Sequence, residues 1–185
     1  MEPQTPIPQP IFTIFASIKN NTMKKSILIA VFLVTSSGFS QAFKGKGDTK
    51  FQVGPSFQDN GTGIAATIDF GVGANISFGF TTSYLLGVSD DFGKPKFDDR
   101  IDARARFNAN IGNVLNVSDK FDLYPGLSIG LRNFGGHVGA RYFFTEGFGI
   151  YTETGFPLAK YKTDAVENER LNNQFTFQIG AAFNL

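Results

Sequence analysis

From residue 98 to residue 112 apolar and polar side chains alternate without a break. Ile101, Ala103, Ala105, Phe107, Ala109 and Ile111 share one parity, and Asp102, Arg104, Arg106, Asn108 and Asn110 share the other. A period of two puts these sets on opposite faces of an extended strand, which then separates an oily phase from a polar one. The same alternation recurs in Ile76, Phe78, Phe80, Thr82, Tyr84, Leu86; in Phe121, Leu123, Leu127, Ile129, Leu131; in Val138, Ala140, Tyr142, Phe144; and in Phe175, Phe177, Ile179, Ala181, Phe183, Leu185. Weaker versions run through 51–57, 64–72 and 148–158, and no window after Gln41 repeats apolar residues at the helical period. The pattern predicts an all-β domain of eight strands near 50–58, 63–72, 74–88, 98–112, 120–132, 137–145, 148–160 and 173–185, linked by hairpins. Asp59-Asn60-Gly61, Asn133-Phe134-Gly135-Gly136 and Glu146-Gly147 carry turn chemistry. Pro55 and Pro125 lack an N–H inside two strands, so each predicts a bulge or a locally broken ladder.

Alternation alone does not say whether the apolar face meets lipid or encloses a ligand. The polar positions decide for lipid. A face bathed in water normally carries many Lys and Glu, whereas Asn75, Ser77, Gly79, Thr81, Ser83, Thr176, Gln178 and Gly180 are small or amide-bearing, as a crowded lumen requires. If the first strand starts on the periplasmic side, the two longest outer links are 89–97 and 161–172, set against tight inner turns at 71–73 and 145–147; long outside and short inside is the habit of transmembrane barrels. The inner turn near 113–119 is longer than that habit predicts. Phe121, Tyr124, Tyr142, Phe144, Phe148 and Phe183 bunch where strand ends would meet the inner interface, as an aromatic girdle. The fold expected is an eight-stranded antiparallel up-and-down transmembrane β-barrel spanning 41–185.

Ahead of the strands, Met23-Lys24-Lys25, the apolar run 27–34 and the small-residue stretch 35–40 make a secretory signal peptide over 23–40, with cleavage expected between Ser40 and Gln41. The apolar run is well short of the roughly 20 residues that cross a bilayer as a helix. Residues 1–22 are Pro-rich and read as a mis-assigned leader ahead of a true start at Met23. The 185-residue chain has a formal net charge of +1 and no basic stripe, which argues against nucleic-acid binding. It has no Cys, which excludes disulfides, thiolate metal sites and a lipidated cysteine.

The final stretch, Gln178-Ile179-Gly180-Ala181-Ala182-Phe183-Asn184-Leu185, resembles the terminal assembly signal of outer-membrane barrels, although it ends in Leu185 where an aromatic is usual. Over 41–185 the chain is similar to the OmpA/OmpX-like family of small barrels. That resemblance implies a bacterial outer-membrane location, recognition of the last strand by the barrel-assembly machinery, and contact with outer-membrane lipids and lipopolysaccharide. A monomer is expected.

Within such a barrel the polar parities place Asp102, Arg104 and Arg106 beside Asp122 and Tyr124, and Arg141 beside Glu153, as a salt-bridged lumenal plug. A bare arginine there would pay several kcal/mol in desolvation, so paired acids are needed. His137 is the chain's one histidine and has to carry any Ser-His-acid triad; its parity points inward, and no serine adjoins it in sequence. The outer links carry Asp90, Asp91, Asp98, Asp99, Asp164, Glu167 and Glu169 with Arg170, which allow divalent cations bridging lipopolysaccharide phosphates, and Lys160 and Lys162 can reach the same groups. Gly61-Thr62-Gly63 and Gly71-Val72-Gly73 are turns and not phosphate cradles, because no helical pattern follows them. The expectation is a non-enzymatic barrel, without catalytic residues, cofactor or metal, that maintains the envelope or presents loops. The rival expectations are a lipid A-modifying enzyme centred on His137 and a narrow, porin-like small-solute channel.

Overall fold

A computed structural model describes residues 41–90, 95–162 and 170–185. The expectations for 1–22 and 23–40, and those resting on Asp91, Asp164, Glu167 and Glu169, lie outside these residues. The described part is a closed antiparallel barrel of eight strands paired in sequence order, with β1 (Thr49–Gln58) hydrogen-bonded to both β2 (Gly61–Gly71) and β8 (Thr176–Asn184). Between them run β3 (Ile76–Val88), β4 (Ile101–Ala109), β5 (Phe121–Gly130), β6 (Asn133–Phe143) and β7 (Phe148–Lys160). The segment before β1 and the end of β8 share one mouth, the terminal mouth. The links after β3 and β7 leave from the other, the loop mouth, where their described residues are 89–90, 95–100, 161–162 and 170–175.

The parity expected from the sequence holds along the wall. Phe107, Phe80, Leu127, Ile129, Ile150 and Phe177 stand exposed on the outside, while Asp102, Arg106 and Asn108 on the alternate positions are enclosed. Aromatic rings touch around the terminal end in a chain from Tyr142 through Phe144, Phe148 and Phe183 to Phe51. Tyr124 is not part of this girdle; its parity is that of Asp122, and it is wholly buried in the lumen.

Both prolines interrupt a ladder without shifting its register. On β1 the pairing with β8 skips Gly54 and Pro55 and resumes at Ser56↔Gln178. On β5 the pairing with β4 stops at Asn108↔Gly126, just before Pro125, and one bond from Ile111 N–H to Leu123 O at 2.8 Å continues the same register beyond it. The true bulges fall elsewhere, at Thr62/Gly63 and Phe134/Gly135.

Three expected boundaries are corrected. Asn133–Gly136 is strand and not turn, because Leu131 and Arg132 alone close the β5–β6 hairpin and the glycines lie flat against β7. The fourth strand does not run from 98 to 112. Phe97–Arg100 winds into one helical turn whose Asp99 carboxylate accepts the Lys96 N–H at 3.0 Å. Gly112–Leu115 forms a second helical turn, ended by Asn116 in the left-handed region.

The barrel closes where two glycines face each other. A Cβ on Gly54 would lie 2.1 Å from Ile179 O, and one on Gly180 would lie 2.3 Å from Val53 O. Side chains at this point would push β1 and β8 apart beside Pro55, where the ladder is already interrupted. Gly54→Ala is therefore expected to destabilise the barrel by about 1–3 kcal/mol through overpacking. Gly147→Ala, at a turn where an added Cβ meets nothing within 4 Å, is expected to stay within about 0.5 kcal/mol. Urea unfolding of the two variants in parallel checks the difference.

Candidate functional site in the lumen

Halfway along the barrel, two arginines and three acids from five strands converge on one tyrosine. Arg106 on β4 donates from Nη1 and Nη2 to Glu153 Oε1 and Oε2 on β7, at 3.1 and 2.8 Å. Arg141 on β6 donates from Nε and Nη2 to Asp122 Oδ2 on β5, at 3.0 and 2.9 Å. Asp69 on β2 stands between them, 3.3 Å from Arg106 Nε and 3.5 Å from Arg141 Nη1. The Tyr124 ring lies under both guanidiniums, 4.4 Å from that of Arg141 and 5.6 Å from that of Arg106, and its hydroxyl accepts Gln52 Nε2–H at 2.9 Å. All of these side chains are enclosed. Charge-assisted and bidentate bonds are the strong ones, and cation–π contact adds most where water is excluded.

Space for this cluster comes from missing side chains. A Cβ on Gly139, opposite Tyr124, would fall 2.2 Å from the ring, and one on Gly126, opposite His137, would fall 2.4 Å from Nε2. In an eight-stranded barrel the interior is only wide enough for side chains, so a large residue on one wall needs a glycine beside it on the next.

The plug is present, with pairing different from that expected. Arg141 does not pair with Glu153. The link 144–147 sets the β6–β7 register so that Arg141 faces Tyr151 and Glu153 faces Gly139. Arg141 therefore takes its directly opposed neighbour on the other side, Asp122. Glu153 reaches past the glycine to Arg106. Asp102 and Arg104 are not beside Asp122, because adjacent strands run antiparallel: the first pair lies toward the loop mouth and Asp122 toward the terminal mouth. There Asp122 also accepts Asn110 Nδ2–H at 2.8 Å. Arg104 pairs with Asp102 on its own strand and donates to Asn172 O at 2.9 Å.

Both mouths are covered. At the terminal mouth Ala42 and Phe43 are buried, and Ala42 forms an apolar cluster with Phe143, Tyr151 and Ala182. Lys50 spans the rim, bonded to Asp48 at 2.7 Å and to Asn184. At the loop mouth Leu171, Asn172 and Asn173 fold inward. Asn172 N–H donates to Gln58 Oε1 at 3.2 Å, and Asn133 Nδ2 donates to Asn173 Oδ1 at 2.9 Å. Beneath them is a polar cavity of about 30 Å³ touched by Arg104, Arg106, His137, Glu153 and Asn172, room for a water or two.

His137 points inward, and its Nε2 lies 2.7 Å from Asn108 Oδ1. Among the described residues no group of three or more His, Asp or Glu is arranged to hold a metal ion. Asp90 and Asp98 are exposed near the loop mouth.

A model described as a family of unknown function (DUF6646) matches residues 31–185. The chain belongs to that family. The DUF6646 match takes in every strand and both mouth segments. No curated protein matches the sequence. Among solved structures, one chain described as "De novo design of transmembrane beta-barrels" is 12% identical and has a TM-score of 0.48, over 76% of this chain and 97% of that one.

The sequence reading missed Asp69, Gln52 and the two mouth segments. Asp69 carries a signal, as the one charged residue in Gly61–Gly71, on the lumenal parity. The cluster makes a measurable prediction. Arg106→Ala leaves Glu153 without its partner and is expected to cost about 3–5 kcal/mol, whereas Glu153→Ala leaves Arg106 within 3.3 Å of Asp69 and should cost less. A double-mutant cycle on this pair should show strong coupling, as should Arg141 with Asp122. Arg141 with Glu153 should couple more weakly. Urea unfolding of the three cycles checks the ranking.

Proposed function

We propose that this chain is an outer-membrane barrel with a closed lumen, which supports the bacterial envelope or presents its loop-mouth links outside the cell, and that it does so without catalysis. One observation carries the reading: burial is inverted. Large apolar side chains such as Phe80, Phe107, Ile129 and Leu158 are exposed all around the wall, while Arg106, Arg141, Asp69 and Asp122 are enclosed. A barrel in water would aggregate through such a wall, whereas a bilayer solvates it, and the closed ladder pairs the backbone along the wall apart from the gaps beside Pro55 and Pro125. The closed ladder leaves no free edge. The architecture fits the OmpA/OmpX-like resemblance of the sequence, and β8 carries the proposed assembly signal.

The closed-lumen reading rests on three barriers in series: Ala42 and Phe43, the arginine–carboxylate cluster, and Leu171–Asn173. A channel would have to displace all of them. A lipid-modifying role for His137 would need an imidazole on the outer wall. This one faces inward and bonds Asn108, so nothing in its geometry favours that chemistry.

Expression in a bacterium with two membranes, followed by fractionation and intact-mass measurement, tests location and the start at Gln41; recovery in the soluble fraction overturns the reading. Phe107→Lys should impair insertion, since a lysine at mid-bilayer on the lipid face costs about 2–4 kcal/mol, read as loss of the gel-mobility difference between unboiled and boiled samples. Planar-bilayer recordings of the purified chain should show no stepwise current, and steady unitary conductance would overturn the closed lumen. Sensitivity of a deletion strain to detergents and antibiotics distinguishes envelope support from loop presentation.

A further inference from the structure

The link between β4 and β5 is the longest described one at the terminal mouth and carries an unusual load of exposed apolar side chains. Val114 is 65% exposed, Leu115 47% and Val117 69%. A periplasmic turn surrounded by water has no use for three such residues, and the other terminal-mouth links are short. We propose that this turn is a membrane-surface anchor, its apolar side chains inserted at the headgroup–acyl boundary of the leaflet that surrounds the terminal mouth. The inference rests on the membrane reading above.

Geometry sets the direction of the side chains. In the helical turn Gly112–Leu115, Asn113 donates from Nδ2 to Phe43 O at 3.0 Å, and Phe43 is part of the cover over the terminal mouth. Asn113 therefore faces the barrel axis. At about 100° per residue, Leu115, two positions on, lies on the side away from the axis and Val114 on the flank between. The link is also firmly tied. Ala42 N–H donates to Asp119 O at 2.6 Å, Ile111 N–H to Leu123 O at 2.8 Å, and Gly112 N–H to Asp122 Oδ1 at 3.3 Å. A turn fixed on its inner side presents a fixed outer side.

The patch also continues an interface already described. The ring chain Tyr142–Phe144–Phe148–Phe183–Phe51 belongs to β6, the β6–β7 link, β7, β8 and β1. Val72 and Ile76 extend the exposed apolar rim at the β2–β3 link. The base of β4 and β5 offers Phe121 alone among aromatics, and Val114, Leu115 and Val117 fill this gap. The longer turn thus completes the apolar rim in the one sector where strand residues do not.

The chain has no tryptophan, so a single introduced one reports its own surroundings. Phe107→Trp, Val117→Trp and Glu146→Trp would each be reconstituted in phosphatidylcholine vesicles with bromine at the 6,7 or 11,12 acyl positions, with acrylamide as the aqueous quencher. Phe107→Trp, on the outer wall, should be quenched by bromolipid. Val117→Trp should show blue-shifted emission, stronger quenching by 6,7- than by 11,12-dibromolipid, and at least a several-fold lower acrylamide quenching constant than Glu146→Trp in the neighbouring turn. Leu115→Trp repeats the measurement should Val117→Trp fail to fold. If Phe107→Trp is quenched by bromolipid while the turn reporters stay acrylamide-accessible, the anchor is overturned, the membrane reading stands, and the patch is left to an aqueous protein partner. If Phe107→Trp is untouched by bromolipid, the membrane reading falls and the anchor falls with it.

Discussion

The barrel depends on neutralising arginine inside a space with almost no water. Arg106 and Arg141 are fully enclosed, and each has a carboxylate within hydrogen-bond reach, with Asp69 held near both. An isolated guanidinium there would face a desolvation penalty of several kcal/mol, and the attraction of its partners offsets this only when the geometry is good. The demand for geometry then spreads outward. Tyr124 must lie flat beneath the guanidiniums, Gly139 must leave room for its ring, and the β5–β6 register must set Asp122 against Arg141.

The two prolines and the glycine pair at Gly54 and Gly180 show how the cylinder tolerates imperfect pairing. A missing N–H removes bonds to one neighbour and leaves the other ladder intact, because each strand has a partner on both sides. Pro55 keeps its full pairing with β2, and Pro125 with β6. The seams with β8 and β4 are weaker for it. Tight backbone approach at Gly54 and Gly180 keeps the first of these in register across the gap.

Strand number, parity and most boundaries were legible in the sequence, because a period of two is a local property and Phe107 beside Asn108 states it outright. The partners of the buried charges were not. Which side chains meet across a lumen depends on the tilt and stagger of strands far apart in sequence, so the pair Arg106 and Glu153 leaves no local mark. Arg141 and Glu153 failed as a pair for a smaller reason: the β6–β7 register sets Arg141 opposite Tyr151, two residues short of Glu153 on the same face, and so sends Glu153 to a different neighbour. The mouth segments were hidden because Ala42 and Phe43, ahead of β1, and Leu171, between β7 and β8, lie outside the strands, where alternation gives no signal.

The position of Asp69 ties the electrostatics of the cluster to closure of the barrel. Its two cationic neighbours come from β4 and β6, and the acids that complete their neutralisation come from β5 and β7. The β5–β6 hairpin contains the Arg141–Asp122 pair, whereas Arg106 takes both of its acids, Asp69 and Glu153, from strands that are not its neighbours, β2 and β7. A sheet that lacks β2 or β7 therefore holds Arg106 without its full set of counterions, an arrangement penalised electrostatically until the circle is complete. The ion pairs of Arg106 thereby favour the complete circle over a partial sheet.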